Sequence, residues 1–123
     1  MPPRRLDVSS GSPFETAVGY SRAVRVGPLV VVAGTTAPGA DAATQTREAL
    51  RCIETALAEA GAALADVVRT RMFVTDIALW QEIGAVHAEV FATVRPVSTM
   101  VEVSALISPD LVVEIEVDAY VCE

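Results

Sequence analysis

Arg95-Pro96-Val97-Ser98-Thr99-Met100-Val101-Glu102-Val103, followed shortly by Val113-Glu114-Ile115-Glu116, is the stretch on which the reading of this chain turns. Arg95-Pro96 breaks what precedes it, because proline lacks a backbone donor and restricts the residue before it. Beyond the break, Thr99 to Leu106 alternates, with Val101, Val103 and Ala105 on one side and Met100, Glu102 and Ser104 on the other. Val112 to Val121 alternates more strictly: Val113, Ile115, Val117, Ala119 and Val121 against Glu114, Glu116, Asp118 and Tyr120. A period of two is that of a strand with one buried face. Ser108-Pro109-Asp110 makes the turn between these strands.

Upstream, Tyr20 to Val26 suits a strand, Gly27-Pro28 a turn, and the apolar run Leu29 to Gly34 a buried central strand. Together they predict an antiparallel hairpin, followed by a loop over Thr35 to Ala43. From Thr44 to Ala60 the period changes. Ala49, Leu50, Ile53, Ala56, Leu57 and Ala60 fall on one helical stripe, with Gly61 suited to end it. Val67 to Val74 is strand-like. Asp76 can cap a second helix over Ile77 to Phe91, with Trp80, Ile83, Gly84, His87, Val90 and Phe91 on its buried side. Residues 1–19, rich in Ser, Gly and Pro, are expected to be mostly coil. The order strand, strand, helix, strand, helix, strand, strand gives one α+β domain over 1–123, a mixed sheet with two helices on one face. The other sheet face needs a cover, and a partner subunit would supply it.

Composition narrows the chemistry. Hydrophobic residues make up 52% of the 123 and mean hydropathy is +0.45, yet no apolar run nears the roughly 20 residues that span a bilayer. That surplus fits a homo-oligomer better than a membrane protein. A net charge of −7 and only nine basic residues argue against a nucleic-acid partner. With no lysine, the chain offers no Schiff-base nucleophile or pyridoxal phosphate anchor; with one histidine, it offers no histidine cluster for a transition metal. Neither metal nor cofactor is expected. Cys52 and Cys122 form no C-x-x-C pair, which fits reduced thiols in a cytoplasmic protein.

The 95–103 and 113–116 motifs resemble the signature of the RidA/YjgF family, small trimeric proteins whose best-known members hydrolyse enamines and imines to ketones and ammonia. Gly19 to Gly27, Val31-Val32-Ala33-Gly34 and Asp66 to Asp76 are similar to further segments of that family, in the same order. The resemblance implies a chorismate-mutase-like fold and a homotrimer with pockets at the subunit interfaces. It also implies a site of Tyr20, Ala33, Gly34, Ser98, Met100 and Glu114, with Glu114 as acid/base. In deaminating members the motif reads roughly P-x-R-S-x-V-E-V, and its arginine grips the substrate carboxylate. Here that position is Ser98, where one hydroxyl replaces a fork of up to five donors. Met100 stands where a cysteine is frequent and Ala33 where a serine is common, so the pocket is less polar throughout.

Two functions follow as expectations. The first is a hydrolase or deaminase-type enzyme acting on a small imine, enamine or similarly activated molecule, not a generic 2-imino acid deaminase. The second is a small-molecule-binding or interaction module that kept the scaffold without turnover. Arg95, Arg22 and Arg71 are the candidates to restore a cation. From the residues alone, Glu114 also fits a solvated row with Glu116 and Asp118, His87 a hydrogen-bonded core histidine, and Cys52 and Trp80 ordinary packing.

Overall fold

The computed structural model describes residues 5–122. Six strands form one sheet: β1 (Arg5–Val8), β2 (Ala23–Val26), β3 (Leu29–Thr35), β4 (Val67–Val74), β5 (Val97–Glu102) and β6 (Val113–Tyr120). Three α-helices accompany them: α1 (Pro13–Val18), α2 (Ala42–Glu59) and α3 (Trp80–Val90). The expected hairpin is β2–β3, antiparallel with Val26 opposite Leu29 across Gly27-Pro28.

The two C-terminal strands are not neighbours. Sheet order is β1-β2-β3-β6-β4-β5, so β6 runs between β3 and β4 and is antiparallel to both. Its regular alternation explains the central place: Val113, Ile115, Val117 and Ala119 are fully buried beneath the helices. β5 instead pairs in parallel with β4, α3 making the crossover that parallel strands require.

α2 packs its Ala49-Leu50-Ile53-Leu57 stripe on the sheet, with Asp41 accepting the Thr44 N–H as N-cap. α3 lies beside it, burying Ile83 and Val86. Trp80 departs from its expected stripe: it is 55% exposed, because the helix turns it out at its first residue. Buried Gln45 of α2 ties two loops together. Its Nε2 donates to the carbonyls of Asp110 (2.9 Å) and Gly39 (3.2 Å), and its Oε1 accepts from the Val112 N–H (2.9 Å).

The expected N-terminal coil is corrected. Its residues 1–4 lie outside the described residues, but Arg5–Val8 extends the sheet as β1 and Pro13–Val18 is α1. Ser12 caps that helix, Pro13 opens it, and Gly19 (φ 88°) ends it in the left-handed region. No helix among the described residues is long and apolar enough to cross a membrane.

Candidate functional site

A cavity of about 670 Å³ opens where the N-terminal segment passes the end of the β2–β3–β6 sheet. One wall is the segment Ser9 to Tyr20; the opposite wall is the Cys52, Thr55 and Glu59 side of α2; Gly34 and Glu114 line it from the sheet. Ile107 reaches in from the loop before β6. Cys52 is therefore half-buried against a cavity, not packed in the core.

The β3 chain is irregular here. The register with β6 shifts between Val32 and Thr35, a bulge that leaves Ala33-Gly34 out of step. The bulge is stitched in place: the Ala33 N–H donates to the Arg22 carbonyl (2.9 Å), and Thr35 Oγ1 donates to the Ala33 carbonyl (2.8 Å). Glu114 lies directly over Gly34. A Cβ added there would collide with Glu114 Oε2 and stand 3.0 Å from Cδ, so glycine at this position makes room for the carboxyl.

Burial raises the Glu114 pKa above the ordinary 4.5; the neighbouring charge of Glu116 adds to the rise and Arg22 opposes it. A carboxyl so placed can hold a proton nearer neutrality and exchange it with a ligand.

Arg22 is the buried cation of this cavity; Arg51 also lines it but is turned to solvent and paired with Glu48 (2.8 Å). Its side chain is only 13% exposed, and Nη1 donates to the Gly34 carbonyl (2.9 Å) and to Thr35 Oγ1 (3.0 Å). Nη2 donates to the Tyr20 hydroxyl (3.3 Å), while Nε faces Glu15 Oε2 at 3.5 Å. Buried Glu15 also accepts from Ser9 Oγ (2.9 Å) and from the backbone and hydroxyl of Ser10. The Ser10 hydroxyl is the chief cause of a Glu15 pKa below the usual range, with Ser9 and Arg22 pulling the same way against desolvation. One carboxylate thus fastens the N-terminal wall to the cavity's cation.

Of the residues that the resemblance named, Tyr20, Gly34 and Glu114 line the cavity together. Ala33, Ser98, Met100 and Arg95 do not line it. Ala33 belongs to the bulge beside it. Arg95, in the left-handed region at φ 53°, closes the turn after α3 by an N–H bond to the Phe91 carbonyl. Met100 packs partly buried against the core, across from Met72. Ser98 lies on the exposed edge strand β5 and shares a hydrogen bond with Thr70. Of the three candidate arginines only Arg22 reaches the cavity; Arg71 pairs with Glu116 (3.3 Å) and Asp118 (3.4 Å) on the uncovered sheet face.

Glu15 escaped the sequence reading, although Ser12-Pro13-Phe14-Glu15 carries the spacing of a helix start. Among the described residues no group of three or more His, Cys, Asp or Glu could hold a metal ion.

Residues 11–121 match the family described as endoribonuclease L-PSP. An uncharacterized protein of Streptomyces coelicolor is 38% identical over 120 residues, spanning 92% of this chain and 90% of its own. The 3-aminoacrylate deaminase RutC of Acinetobacter baylyi is 41% identical over 81 residues, 66% of this chain and 64% of its own. Among solved structures, a member of the YjgF/YER057c/UK114 family from Mycobacterium tuberculosis superposes with a TM-score of 0.95 at 69% identity, covering 96% of this chain and all of that one. The signature around Ser98 and Glu114 is thus one of descent, and this chain belongs to the RidA/YjgF family.

Proposed function

We propose that this chain is a RidA-type hydrolase that converts a small imine, enamine or similarly activated compound to a carbonyl compound and ammonia, with Glu114 as acid and base. The observation that carries this reading is the Glu114 carboxyl over Gly34, its pKa raised by burial, in a cavity sized for a small molecule. In its neutral form Glu114 gives its proton to the substrate nitrogen while water adds to the C=N carbon. The carboxylate then takes a proton from the added oxygen to give the carbinolamine, passes it to the amine nitrogen, and takes the remaining hydroxyl proton as the C–N bond breaks and the carbonyl compound and ammonia leave. The deaminase named among the relatives supports this reaction class.

The reading includes a homotrimer. In one protomer Ser98 and Met100 stand on β5, apart from the cavity of Tyr20, Gly34 and Glu114. A neighbouring protomer that lays its β5 edge against the cavity mouth unites the two sets.

Such a site differs from that of a generic 2-imino acid deaminase. Ser98 brings no charge, and Arg22 has most of its donors occupied by Gly34, Thr35, Tyr20 and Glu15. Arg51, the other guanidinium on the lining, is exposed and turns its Nε and Nη2 to Glu48, so neither arginine offers a buried two-point fork and a carboxylate is held more weakly by roughly 1.5–3 kcal/mol. The same observation favours a second reading, a binding module without turnover.

An amino-acid oxidase that generates 2-iminopropionate or 2-iminobutyrate in place, with imine decay followed directly, separates the two. Slow decay with wild type, faster decay with Ser98→Arg and none above background with Glu114→Ala are expected. Wild-type rates equal to those of an arginine-bearing relative would remove the argument from Ser98. Failure of every variant to turn over any imine would favour the binding module.

A further inference from the structure

The parallel register of β4 and β5 sets Thr70 directly beside Ser98, and both side chains rise on the helix-covered face. Thr70 is fully buried. Its Oγ1 lies 2.8 Å from Ser98 Oγ and 2.8 Å from His87 Nε2 of α3. A chain of three hydrogen-bonding groups therefore leads from a half-buried imidazole, through a buried hydroxyl, to the exposed edge strand.

We propose that His87, Thr70 and Ser98 form a directional relay in which the state of His87 decides whether Ser98 offers a proton or only lone pairs to a ligand oxygen. His87 and Thr70 are then positioning residues for recognition of a carbonyl or carboxylate oxygen at Ser98. The inference rests on the interface site proposed above, which makes Ser98 face the ligand.

Proton counting carries the argument. Thr70 has one hydroxyl proton and two lone pairs; because it is fully buried beside His87 Nε2 and Ser98 Oγ, its proton stays satisfied only if it gives to one of them while receiving from the other. In one arrangement His87 Nε2–H donates to Thr70, Thr70 donates to Ser98, and the Ser98 proton is left to point outward. In the other, Ser98 donates to Thr70 and Thr70 donates to a bare Nε2, so Ser98 shows only lone pairs. An imidazolium has no bare nitrogen and permits only the first. A ligand oxygen seated on Ser98 selects that same arrangement. Ligand binding, the Nε2–H tautomer and proton uptake by His87 are linked, and the link is reciprocal.

The surroundings leave His87 free to respond. Its ring packs on Phe91, centroids 4.7 Å apart, and burial alone lowers its pKa below 6.5. Charged groups on the elements around α3 are engaged elsewhere. Arg47 of α2 pairs with Glu89 at 3.6 Å, and Glu82 accepts the Ala43 N–H at 2.9 Å. Glu102 of β5 accepts the Ile77 N–H at 2.9 Å. On β4, Arg71 is held by Glu116 and Asp118 on the opposite sheet face, where the alternation puts Arg69 as well.

Since His87 is the only histidine of the chain, its ring nitrogens give an unambiguous ¹⁵N NMR signal. The probe is pyruvate, the stable carbonyl product of 2-iminopropionate hydrolysis. In wild type, pyruvate should raise the Nε2–H population and the His87 pKa. In Thr70→Val, which keeps shape and removes the hydroxyl, pyruvate should leave His87 unmoved and bind roughly three- to tenfold more weakly. Ser98→Ala lies on an exposed strand and does not threaten folding; it should shift the His87 tautomer ratio with no ligand present. An unchanged ratio in Ser98→Ala, or an undiminished response to pyruvate in Thr70→Val, overturns the relay. Pyruvate that binds wild type without moving His87 overturns it too while sparing the site. Wild type that binds pyruvate no more tightly than Ser98→Ala does overturns Ser98's contact with the ligand and the relay's link to it, while leaving the Glu114 cavity and the imine assay to decide the interface reading.

Discussion

Gly34 and Glu114 show how a single atom can decide a site. The carboxyl occupies the space that any side chain at 34 would need. Gly34→Ala should therefore displace Glu114, cost about 1–3 kcal/mol by overpacking, and lower turnover about a hundredfold through misplacement. Chemical denaturation beside the imine assay measures both effects. The raised pKa of Glu114 has a thermodynamic counterpart. Folding favours its neutral form, so that stabilisation is complete below the unfolded carboxyl's pKa and is lost as pH rises through the higher folded value. Glu114→Gln should consequently melt above wild type at pH 7, with the difference vanishing below about pH 4. A thermal melting series across pH tests this; a variant less stable than wild type at pH 7 would contradict it. His87 has the opposite sign. Its lowered pKa gives stability present above the unfolded pKa and lost as pH falls through the folded one.

Among the elements, the loop after β3 and the loop around Asp110 have no regular pairing of their own and meet at α2. Gln45 supplies part of what pairing would give, with three hydrogen bonds from one buried amide. Gln45→Ala should cost about 1–3 kcal/mol, since it removes a buried side chain and three hydrogen bonds to partly exposed backbone groups. Urea denaturation reads the loss, and a change under 1 kcal/mol would show that water replaces the amide. The short α1 wall depends likewise on one side chain, Glu15, which joins Ser9, Ser10 and Arg22.

For the whole molecule, the sheet is covered by helices on one face only. On the other, Val26, Leu29 and Tyr120 are register neighbours and all stand exposed, and Val97 on β5 is 60% exposed. Such a face is a reason for assembly. Light scattering on dilute protein should give three times the chain mass. Leu29→Asp should shift it toward the monomer and remove imine turnover with it, because the site would lose its second half. A fully active monomer would refute the interface reading.

How much was legible in the residues follows from what periodicity can encode. Alternation in 112–121 and the three-four spacing in 44–60 report which face of a segment is buried, so β6 and α2 were readable to within two residues. The signature around Ser98 and Glu114 carried the family, because it is a pattern of identities and needs no geometry. Neither could give the sheet order: β6 enters between β3 and β4 because its fully apolar face suits the centre, a comparison among distant strands. Trp80 turned outward because one position at a helix start does not obey the stripe. Arg22 in the Glu114 cavity, and Thr70 between Ser98 and His87, arise from a bulge and from a parallel register. The sequence by itself determined the elements, their buried faces and the kinship. Only the tertiary structure decided which polar groups meet, because hydrogen bonds form between residues that folding, not chain order, makes adjacent.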